Sequence, residues 1–276
     1  MIKSITAKLS LLFLLTAITT CYYERDIDEE LKVCFVRNLG VWTMNIDGSE
    51  QRQIVSGLFN NAPSWSPDGE NILFHKLTGT TENIYVINSD GNGLKQLTHT
   101  LIPDFSKYPT WSSDGERIIF AGQMNSKYYS FIANKYGIIQ DKIEFLNQLT
   151  CVAMSPNGND IYALDNTKKF YVINIKSRLT TFSKSTDYSS FSISPNGITL
   201  ACVNGSTSYI DIWNIITDTS VQLIKGSSVC WTPNGKTIVY IDSSNNICSL
   251  NIDSLEYKPL TTGGGYSEPC VKWKPR

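Results

Sequence analysis

The side chains best suited to chemistry are scarce in this chain. Its 276 residues include two histidines, His75 and His99, and seven cysteines. Histidine is a common general base and metal ligand near neutral pH, so two isolated copies offer little for catalysis or for a His-rich metal site. No pair of cysteines has the C-x-x-C spacing of a zinc knuckle or redox site, and no G-x-S-x-G sequence indicates a serine nucleophile. We therefore expect no enzymatic activity, no cofactor and no bound metal.

Asp-Gly pairs recur along the chain, and their spacing decides between two kinds of loop. Asp47, Asp68, Asp90 and Asp114 each precede a glycine. A calcium loop of the EF-hand type clusters its acids as D-x-[DN]-x-[DN]-G, whereas these aspartates stand alone. An isolated Asp-Gly is typical of a tight turn, because the carboxylate accepts hydrogen bonds from the following backbone and glycine tolerates positive φ. We interpret these aspartates as turn residues.

The composition describes a folded chain without a basic surface. There are 24 Lys and Arg against 25 Asp and Glu, a formal net charge of −1, and 18% of residues are charged while 11% are aromatic. Nucleic-acid binding usually requires a basic excess, which is missing here. High aromatic content with few charges is typical of strand-rich domains rather than of disordered segments.

The N-terminus has the pattern of an export signal. Lys3 and Lys8 precede an apolar run, Leu11 to Ile18, that is too short to span a bilayer. The run ends at Cys21 in a sequence that resembles a bacterial lipobox, although Thr20 stands where Gly, Ala or Ser is usual. We predict a signal peptide over 1–20, lipidation at Cys21, a short linker over 21–30 and attachment in the bacterial periplasm or at the outer membrane. Ordinary cleavage of a soluble export signal is the alternative.

One five-residue pattern recurs five times. Its copies begin 46, 43, 39 and 38 residues apart, and they are Trp65-Ser66-Pro67-Asp68-Gly69, Trp111-Ser112-Ser113-Asp114-Gly115, Met154-Ser155-Pro156-Asn157-Gly158, Ile193-Ser194-Pro195-Asn196-Gly197 and Trp231-Thr232-Pro233-Asn234-Gly235. This period is the length of a four-stranded propeller blade. The Pro, Asp or Asn, and Gly of each copy favour a tight turn between two antiparallel strands.

Alternating apolar residues follow every turn and predict the remaining strands. Ile72 and Phe74 follow the first copy, a third strand then ends at Asn88, and we place Gln96-Leu97-Thr98, Gln148-Leu149-Thr150 and Pro259-Leu260-Thr261 in fourth strands. Residues 33–38, 41–45 and 52–56 match strands two to four of a blade whose first strand is missing. The segment 269–275 matches a first strand, so it would complete that blade and close the ring. We predict an all-β, six-bladed β-propeller over 31–276.

The order of W-S-P-D-G, I-x-F, I-Y-x-x-N-x-D-G and L-T resembles the PD-type repeats of TolB and prolyl-peptidase propellers. The resemblance implies a six-bladed propeller that binds proteins and performs no chemistry. Only about nine residues separate Cys21 from the first strand, so we expect no N-terminal α/β domain of the TolB kind. We also expect no hydrolase domain, which leaves a peptidase activity without its catalytic part.

Propeller hydrolases hold a metal in the central channel with carboxylates, Asn and His. The innermost strands predicted here, 62–66, 108–112, 151–155, 190–194, 228–232 and 270–274, contain no Asp, Glu or His. Carboxylates stand only in the preceding loops, as Asp104, Asp187 and Glu268. This argues against catalysis. We assign Trp65, Trp111, Trp231 and Trp273 to the core.

The face of the disc around the channel mouth is the better candidate for function. Its loops carry the residues we nominate for binding, which are Phe59, Asn60, Asn61, Phe105, Lys107, Tyr108, Tyr188, Tyr266 and Glu268. Exposed aromatic side chains favour an envelope protein or peptide as partner. Four alternatives stay open: some of these side chains plug the channel, the face binds a small ligand such as a glycan, the repeats are purely structural, or, as the least favoured, the propeller is a hydrolase or lyase. We expect a monomer.

An exported chain enters an oxidising compartment, where its cysteines can form disulfides. Excluding Cys21, six cysteines are left. Cys34 and Cys270 lie on adjacent strands of the shared blade, so a disulfide between them could latch the ring. Cys202 and Cys230 have apolar neighbours typical of small buried residues.

Overall fold

The computed structural model describes residues 31–57, 60–99 and 104–271. These residues form 24 strands in six antiparallel sheets of four strands each. None of the described residues lies in a helix long and apolar enough to cross a membrane. The predicted signal peptide, Cys21, Phe59 and Trp273 lie outside the described ranges.

Each sheet is one blade, with its first strand innermost. Blade 1 consists of β24 (Tyr266–Val271), β1 (Lys32–Arg37), β2 (Gly40–Asn45) and β3 (Arg52–Val55); blade 2 of β4 (Asn60–Trp65), β5 (Asn71–Thr78), β6 (Thr81–Asn88) and β7 (Lys95–Gln96). Blade 3 consists of β8 (Phe105–Trp111), β9 (Arg117–Met124), β10 (Lys127–Asn134) and β11 (Ile139–Phe145); blade 4 of β12 (Leu149–Met154), β13 (Asp160–Asp165), β14 (Lys169–Asn174) and β15 (Thr180–Ser185). Blade 5 consists of β16 (Tyr188–Ile193), β17 (Thr199–Asn204), β18 (Tyr209–Asn214) and β19 (Thr219–Lys225); blade 6 of β20 (Ser227–Trp231), β21 (Thr237–Ile241), β22 (Ile247–Asn251) and β23 (Tyr257–Pro259).

The repeated five-residue pattern forms the turn between the first and second strands. In blade 2 the Ser66 hydroxyl donates to Asp68 Oδ1 at 2.5 Å, and the backbone N–H of Glu70 donates to the same oxygen at 2.9 Å. The Ser66 Oγ also accepts from Asn71 N at 2.9 Å, which ties the turn to the start of β5. Where the pattern carries Asn instead, Asn157 Oδ1 accepts the equivalent bonds at 2.7 and 3.0 Å. The turn therefore needs an oxygen acceptor at this position, not a charge.

Six apolar clusters, each between two adjacent blades, hold the ring together. Successive residues of a second strand point into different clusters. Ile72 and Phe74 pack toward blade 1, whereas Leu73 packs toward blade 3, and all three are fully buried. Because side chains alternate across a strand, a continuous apolar run is what a sheet buried on both faces requires. Burying each such side chain stabilises the fold by about 1.5–3 kcal/mol.

Closure by the C-terminal strand is confirmed. β24 pairs with β1 at the other end of the described chain, with Val33 opposite Val271 and Cys34 opposite Cys270. The cluster between blades 6 and 1 joins Val239 and Ile247 to Phe35 and Val271. All six interfaces of the ring are thus filled, and the predicted all-β six-bladed propeller is correct.

Two details of the strand prediction were wrong. The segment Gln148-Leu149-Thr150 is not a fourth strand, because Leu149 opens β12, the first strand of blade 4, and the fourth strand of blade 3 is β11. Innermost strands also begin one to four residues earlier than predicted, since an irregular pairing near each start extends the strand. Glu268 consequently lies within β24 rather than in a loop before it.

The predicted core tryptophans are placed as expected where the structure describes them. Trp65 and Trp231 are 4% and 2% exposed, and both belong to clusters between blades. Trp111 is half-buried and packs against the cluster between blades 2 and 3.

Candidate functional site at the channel mouth

Every innermost strand carries a β-bulge near its start. The pairing with the second strand shifts between Asn61 and Ser64 and between Lys107 and Thr110, and the other four first strands shift at the corresponding place. We call the first residue left between the paired positions of each innermost strand a member of the bulge ring, which comprises Ala62, Tyr108, Thr150, Ser189, Ser228 and Glu268. Bulges bend a strand and redirect side chains, and they are frequent beside functional sites.

Four members of the bulge ring have a left-handed backbone. Ala62, Tyr108, Ser228 and Glu268 have φ of 49°, 55°, 45° and 51°. Such values are unfavourable for residues with a Cβ, and they cluster at sites where a side chain must be aimed in one direction. Ala62, Tyr108 and Glu268 each precede a proline, which withholds a backbone donor and so stops regular pairing at that point.

The bulges surround a cavity of about 320 Å³ in the central channel. Five bulge-ring residues line it, namely Ala62, Tyr108, Thr150, Ser228 and Glu268. The rest of its described wall is mostly apolar or small and includes Pro63, Pro109, Phe191, Val229 and Pro269. Pockets of this size with apolar walls and few polar groups are the usual form of binding sites.

Among the residues of described placement that line the cavity, Glu268 is the one that carries a charge. Its Oε2 accepts a hydrogen bond from the backbone N–H of Ala62 at 2.5 Å, across the interface between blades 1 and 2. Burial raises the pKa of Glu268, and the Ala62 N–H partly opposes that rise because it stabilises the carboxylate.

Tyr108 occupies the equivalent bulge position on β8, the innermost strand of blade 3, which follows blade 2 around the ring. Its backbone N–H donates to His75 Nδ1 at 3.4 Å, and its ring meets the His75 imidazole edge-on with centroids 5.5 Å apart. Burial raises the pKa of Tyr108, and the nearby Glu268 charge raises it further. His75 is 3% exposed, and burial followed by the Lys107 charge lowers its pKa to about 4. His75 is therefore neutral at physiological pH and packs against Tyr108.

Lys107 and Phe105 form a second group on β8. Lys107 Nζ lies 2.6 Å from Glu82 Oε2 and 5.4 Å from the centre of the Phe105 ring. The Lys107 charge is thus balanced by Glu82. Neither Phe105 nor Lys107 is part of the cavity wall.

The other nominated residues are spread over the ring. Tyr188 opens β16 and leans on Trp213, with ring centroids 5.8 Å apart. Tyr266 is 5% exposed and packs against Phe35 inside the cluster between blades 6 and 1, so it is a core residue. Asn61 is half-buried in β4 beside Asn60, whose side chain lies outside the described part, as does Phe59. Of the nominated side chains that the structure describes, those of Tyr108 and Glu268 line the cavity.

Three cysteines also belong to the channel wall. Cys151, Cys230 and Cys270 line the cavity, and all six described cysteines have free thiols. The Cys270 thiol is within hydrogen-bonding reach of both Cys34 and Cys230. The bond to Cys270 and burial raise the pKa of Cys230, and burial raises the pKa of Cys151 to about 11. These groups are thiols rather than nucleophilic thiolates near neutral pH.

Within the described ranges, no three His, Cys, Asp or Glu side chains are arranged to hold a metal ion. The Asp-Gly carboxylates lie in separate turns, where Asp47 accepts from Ser49 and Asp90 accepts from Asn92. These bonds lower the pKa of both carboxyls, as expected for acids that cap a turn.

The bulge ring is not recognisable as one set from residue types. Ala62, Thr150 and Ser228 carry no chemical signal because they are small and uncharged. A positional signal does exist, since Ala62 and Tyr108 each precede a proline and stand three residues before a tryptophan. Glu268 stands at the same offset from Val271.

Comparison with known proteins agrees with this architecture. The family model described as PD40, TolB beta propeller domain, matches residues 36–224. The crystal structure of TolB from Acinetobacter baumannii superposes with a TM-score of 0.73 at 18% identity, covering 88% of this chain and 67% of that one. A chain of the nidogen/laminin complex superposes with a TM-score of 0.70 at 9% identity, covering 89% of this chain and 100% of that one. A search of curated proteins finds no match. Since the family model spans more than half of its length, the chain belongs to the TolB β-propeller domain family.

Proposed function

We propose that this protein is a non-catalytic propeller that binds a protein or peptide partner at the mouth of its central channel. The observation that carries this proposal is the cavity of about 320 Å³ that begins at the bulge ring and extends along the channel toward Pro67 and Pro156, with its mostly apolar described wall and one carboxylate. A strand or loop of a partner could enter such a cavity and bury apolar side chains there, while a carboxylate fixes its position. Membership of the TolB propeller family supports the same reading.

The chemistry of the cavity wall supports binding rather than catalysis. A nucleophile needs a base within hydrogen-bonding reach, and His75 is turned toward the backbone of Tyr108 behind the wall. The channel cysteines have raised pKa values, so they lack the thiolate that a cysteine nucleophile requires. Glu268 has no second carboxylate beside it among the described lining residues.

The location we propose is the bacterial cell envelope, with Cys21 as the lipid-modified residue. Lys3, Lys8 and the short apolar run before Cys21 support export. Metabolic labelling with radioactive palmitate should mark the wild-type protein and leave Cys21→Ser unlabelled. A labelled Cys21→Ser protein, or an unlabelled wild type, would reject lipidation at this residue.

The binding proposal can be tested by narrowing the channel mouth. Random linear peptides displayed on phage are selected on the immobilised protein, and their affinities are measured by fluorescence polarisation. Ser228→Tyr is the blocking variant: Tyr108 already has the same left-handed backbone at the equivalent bulge, so the chain should tolerate tyrosine there. Lys236→Tyr, in an exposed turn on the opposite face, is the matched control.

We expect Ser228→Tyr to weaken the selected peptides by about tenfold or more, which corresponds to about 1.4 kcal/mol, and Lys236→Tyr to leave their affinity unchanged. Equal affinity for both variants would reject the channel mouth as the site. Recovery of no peptide, together with stabilisation of the protein by glycans in a thermal-shift screen, would favour the small-ligand alternative.

A further inference from the structure

We propose that Glu268 is the receptor for a cationic side chain, lysine or arginine, of an extended peptide that enters the channel. The site is a niche formed by Glu268, Ala62 and Tyr108, which we call the Glu268 niche. This inference rests on the proposed peptide-binding function and adds the chemistry that the peptide must carry.

The charge of Glu268 is unusual for its position. The equivalent residues of the bulge ring are Ala62, Tyr108, Thr150, Ser189 and Ser228, none of which is charged at neutral pH. A neutral residue therefore suffices to build this bulge in five blades. A half-buried carboxylate in the wall of a mostly apolar cavity loses part of its hydration, and a cation that pairs with it would recover that cost.

The described residues leave that carboxylate without a cation. Lys107, the cation among the residues nominated at the mouth, is paired with Glu82 at 2.6 Å. Glu268 accepts one hydrogen bond through Oε2, from Ala62 N, and no other described residue donates to it. An ionised carboxylate can accept about four hydrogen bonds, so most of its capacity is free for a ligand.

The small side chain of Ala62 gives the niche its space. Ala62 lies on the innermost strand between those of Glu268 and Tyr108, and all three line the cavity. A bulky residue at this bulge would fill the gap between the carboxylate and the phenol. With alanine there, a lysine or arginine head can approach Glu268 while its aliphatic stem lies along the apolar wall, as such side chains commonly do.

The features of the niche favour an organic cation over a metal ion. Divalent ions require several oxygen, nitrogen or sulfur ligands, and no group of three acidic, His or Cys side chains is gathered among the described residues. An ammonium or guanidinium needs one carboxylate together with neutral acceptors or an aromatic ring. Tyr108 lines the same cavity and offers a ring and a hydroxyl, and burial followed by the Glu268 charge raises the pKa of that phenol.

The structural alternative is that Glu268 only fastens β24 to β4 through the Ala62 N–H. Glu268→Gln separates the two roles, because its side-chain carbonyl can still accept that hydrogen bond while the charge is lost. Glu256→Gln, at an exposed position in the turn between β22 and β23, removes the same charge far from the channel and is the matched control. Ala62→Tyr fills the niche without changing any charge.

The experiment uses four acetylated and amidated nonapeptides with identical valine and serine flanks and a central lysine, arginine, norleucine or glutamate. Affinities for the full chain are measured by fluorescence polarisation at two salt concentrations. We expect the lysine and arginine peptides to bind the wild type and Glu256→Gln about tenfold more tightly than the norleucine peptide. In Glu268→Gln and Ala62→Tyr that preference should disappear, while the melting temperature of Glu268→Gln stays within about 2 °C of wild type.

The inference is overturned if Glu268→Gln keeps the preference for a cation, if the norleucine or glutamate peptide binds the wild type best, or if none of the four peptides binds. Its failure can be told apart from failure of the proposed function. If Ser228→Tyr still blocks peptides selected by display while Glu268→Gln has no effect on them, the channel mouth binds peptides and only the role of Glu268 is wrong.

Discussion

Replacing Tyr266 by alanine should destabilise the ring strongly, because this tyrosine belongs to the strand that closes it. Its side chain is 5% exposed, its ring lies 5.5 Å from that of Phe35, and the Arg37 guanidinium lies 5.0 Å from its centre. Truncating a buried aromatic residue to alanine costs about 3–5 kcal/mol, to which an aromatic contact with a cation adds up to about 1 kcal/mol. We take about 4 kcal/mol as the expected loss.

Thermal unfolding followed by near-ultraviolet circular dichroism measures this loss. For a domain of this size, 1 kcal/mol shifts the melting temperature by about 2–4 °C, so Tyr266→Ala should melt about 8–16 °C below wild type. Tyr136→Ala is the control, since Tyr136 also has a lysine 5.7 Å from its ring but is 62% exposed. Its melting temperature should change by less than about 2 °C. Equal shifts for the two variants would refute the burial of Tyr266 and, with it, closure through β24.

Three further predictions concern other parts of the ring. Burial keeps the folded-state pKa of His75 at about 4, below its ordinary value of 6.5, so the unfolded chain binds a proton more readily than the folded one. The free energy of unfolding should therefore fall by about 3 kcal/mol as the pH drops from 7 to 4. Chemical denaturation of His75→Gln should show a flatter pH dependence, and parallel curves for the two proteins would contradict this. Asp68→Asn should leave the free energy of unfolding within about 0.5 kcal/mol of wild type, because three of the repeated turns already carry Asn. Asp68→Ala should lower it by about 1 kcal/mol, because it removes the acceptor for Glu70 N. Equal losses for the two variants in denaturant titrations would contradict the role of Asp68 in the turn. Refolding the reduced, unfolded chain in the presence of oxidised glutathione should join Cys34 to Cys270, its register partner, because both thiols are accessible before the ring closes. The exchange releases two reduced glutathione molecules, and non-reducing peptide mapping that finds both cysteines as free thiols would exclude this disulfide.

The blades were predictable from the sequence because their determinants are local. The Ser-Pro-Asp-Gly turns depend on residues within five positions, as the bonds among Ser66, Asp68 and Asn71 illustrate. The alternation of Ile72, Leu73 and Phe74 between two clusters follows from strand geometry alone. Even the closing strand was predictable, because two incomplete blades at the ends of a repeat complement each other.

The site was harder to predict because its members meet only when the ring closes. Tyr266 looks like an exposed loop aromatic in the sequence, yet pairing opposite Arg37 at the far end of the chain places it in the core. Glu268 contacts Ala62 across a separation of 206 residues. Neither fact follows from local pattern, since both depend on bulges that extend the innermost strands and on which blade lies next to the closing one.

The most direct test of binding at the channel mouth is to locate a bound peptide on the protein. A display-selected peptide that carries one benzoylphenylalanine at its centre is irradiated with the full-length protein, and the crosslinked residues are identified by mass spectrometry. A peptide bound at the channel mouth should crosslink to the bulge ring, at or beside Ala62, Tyr108, Ser228 and Glu268, and these crosslinks should be lost in Ser228→Tyr. Crosslinks confined to the Asp-Gly turns of the opposite face, or unchanged by Ser228→Tyr, would contradict a binding site at the channel mouth.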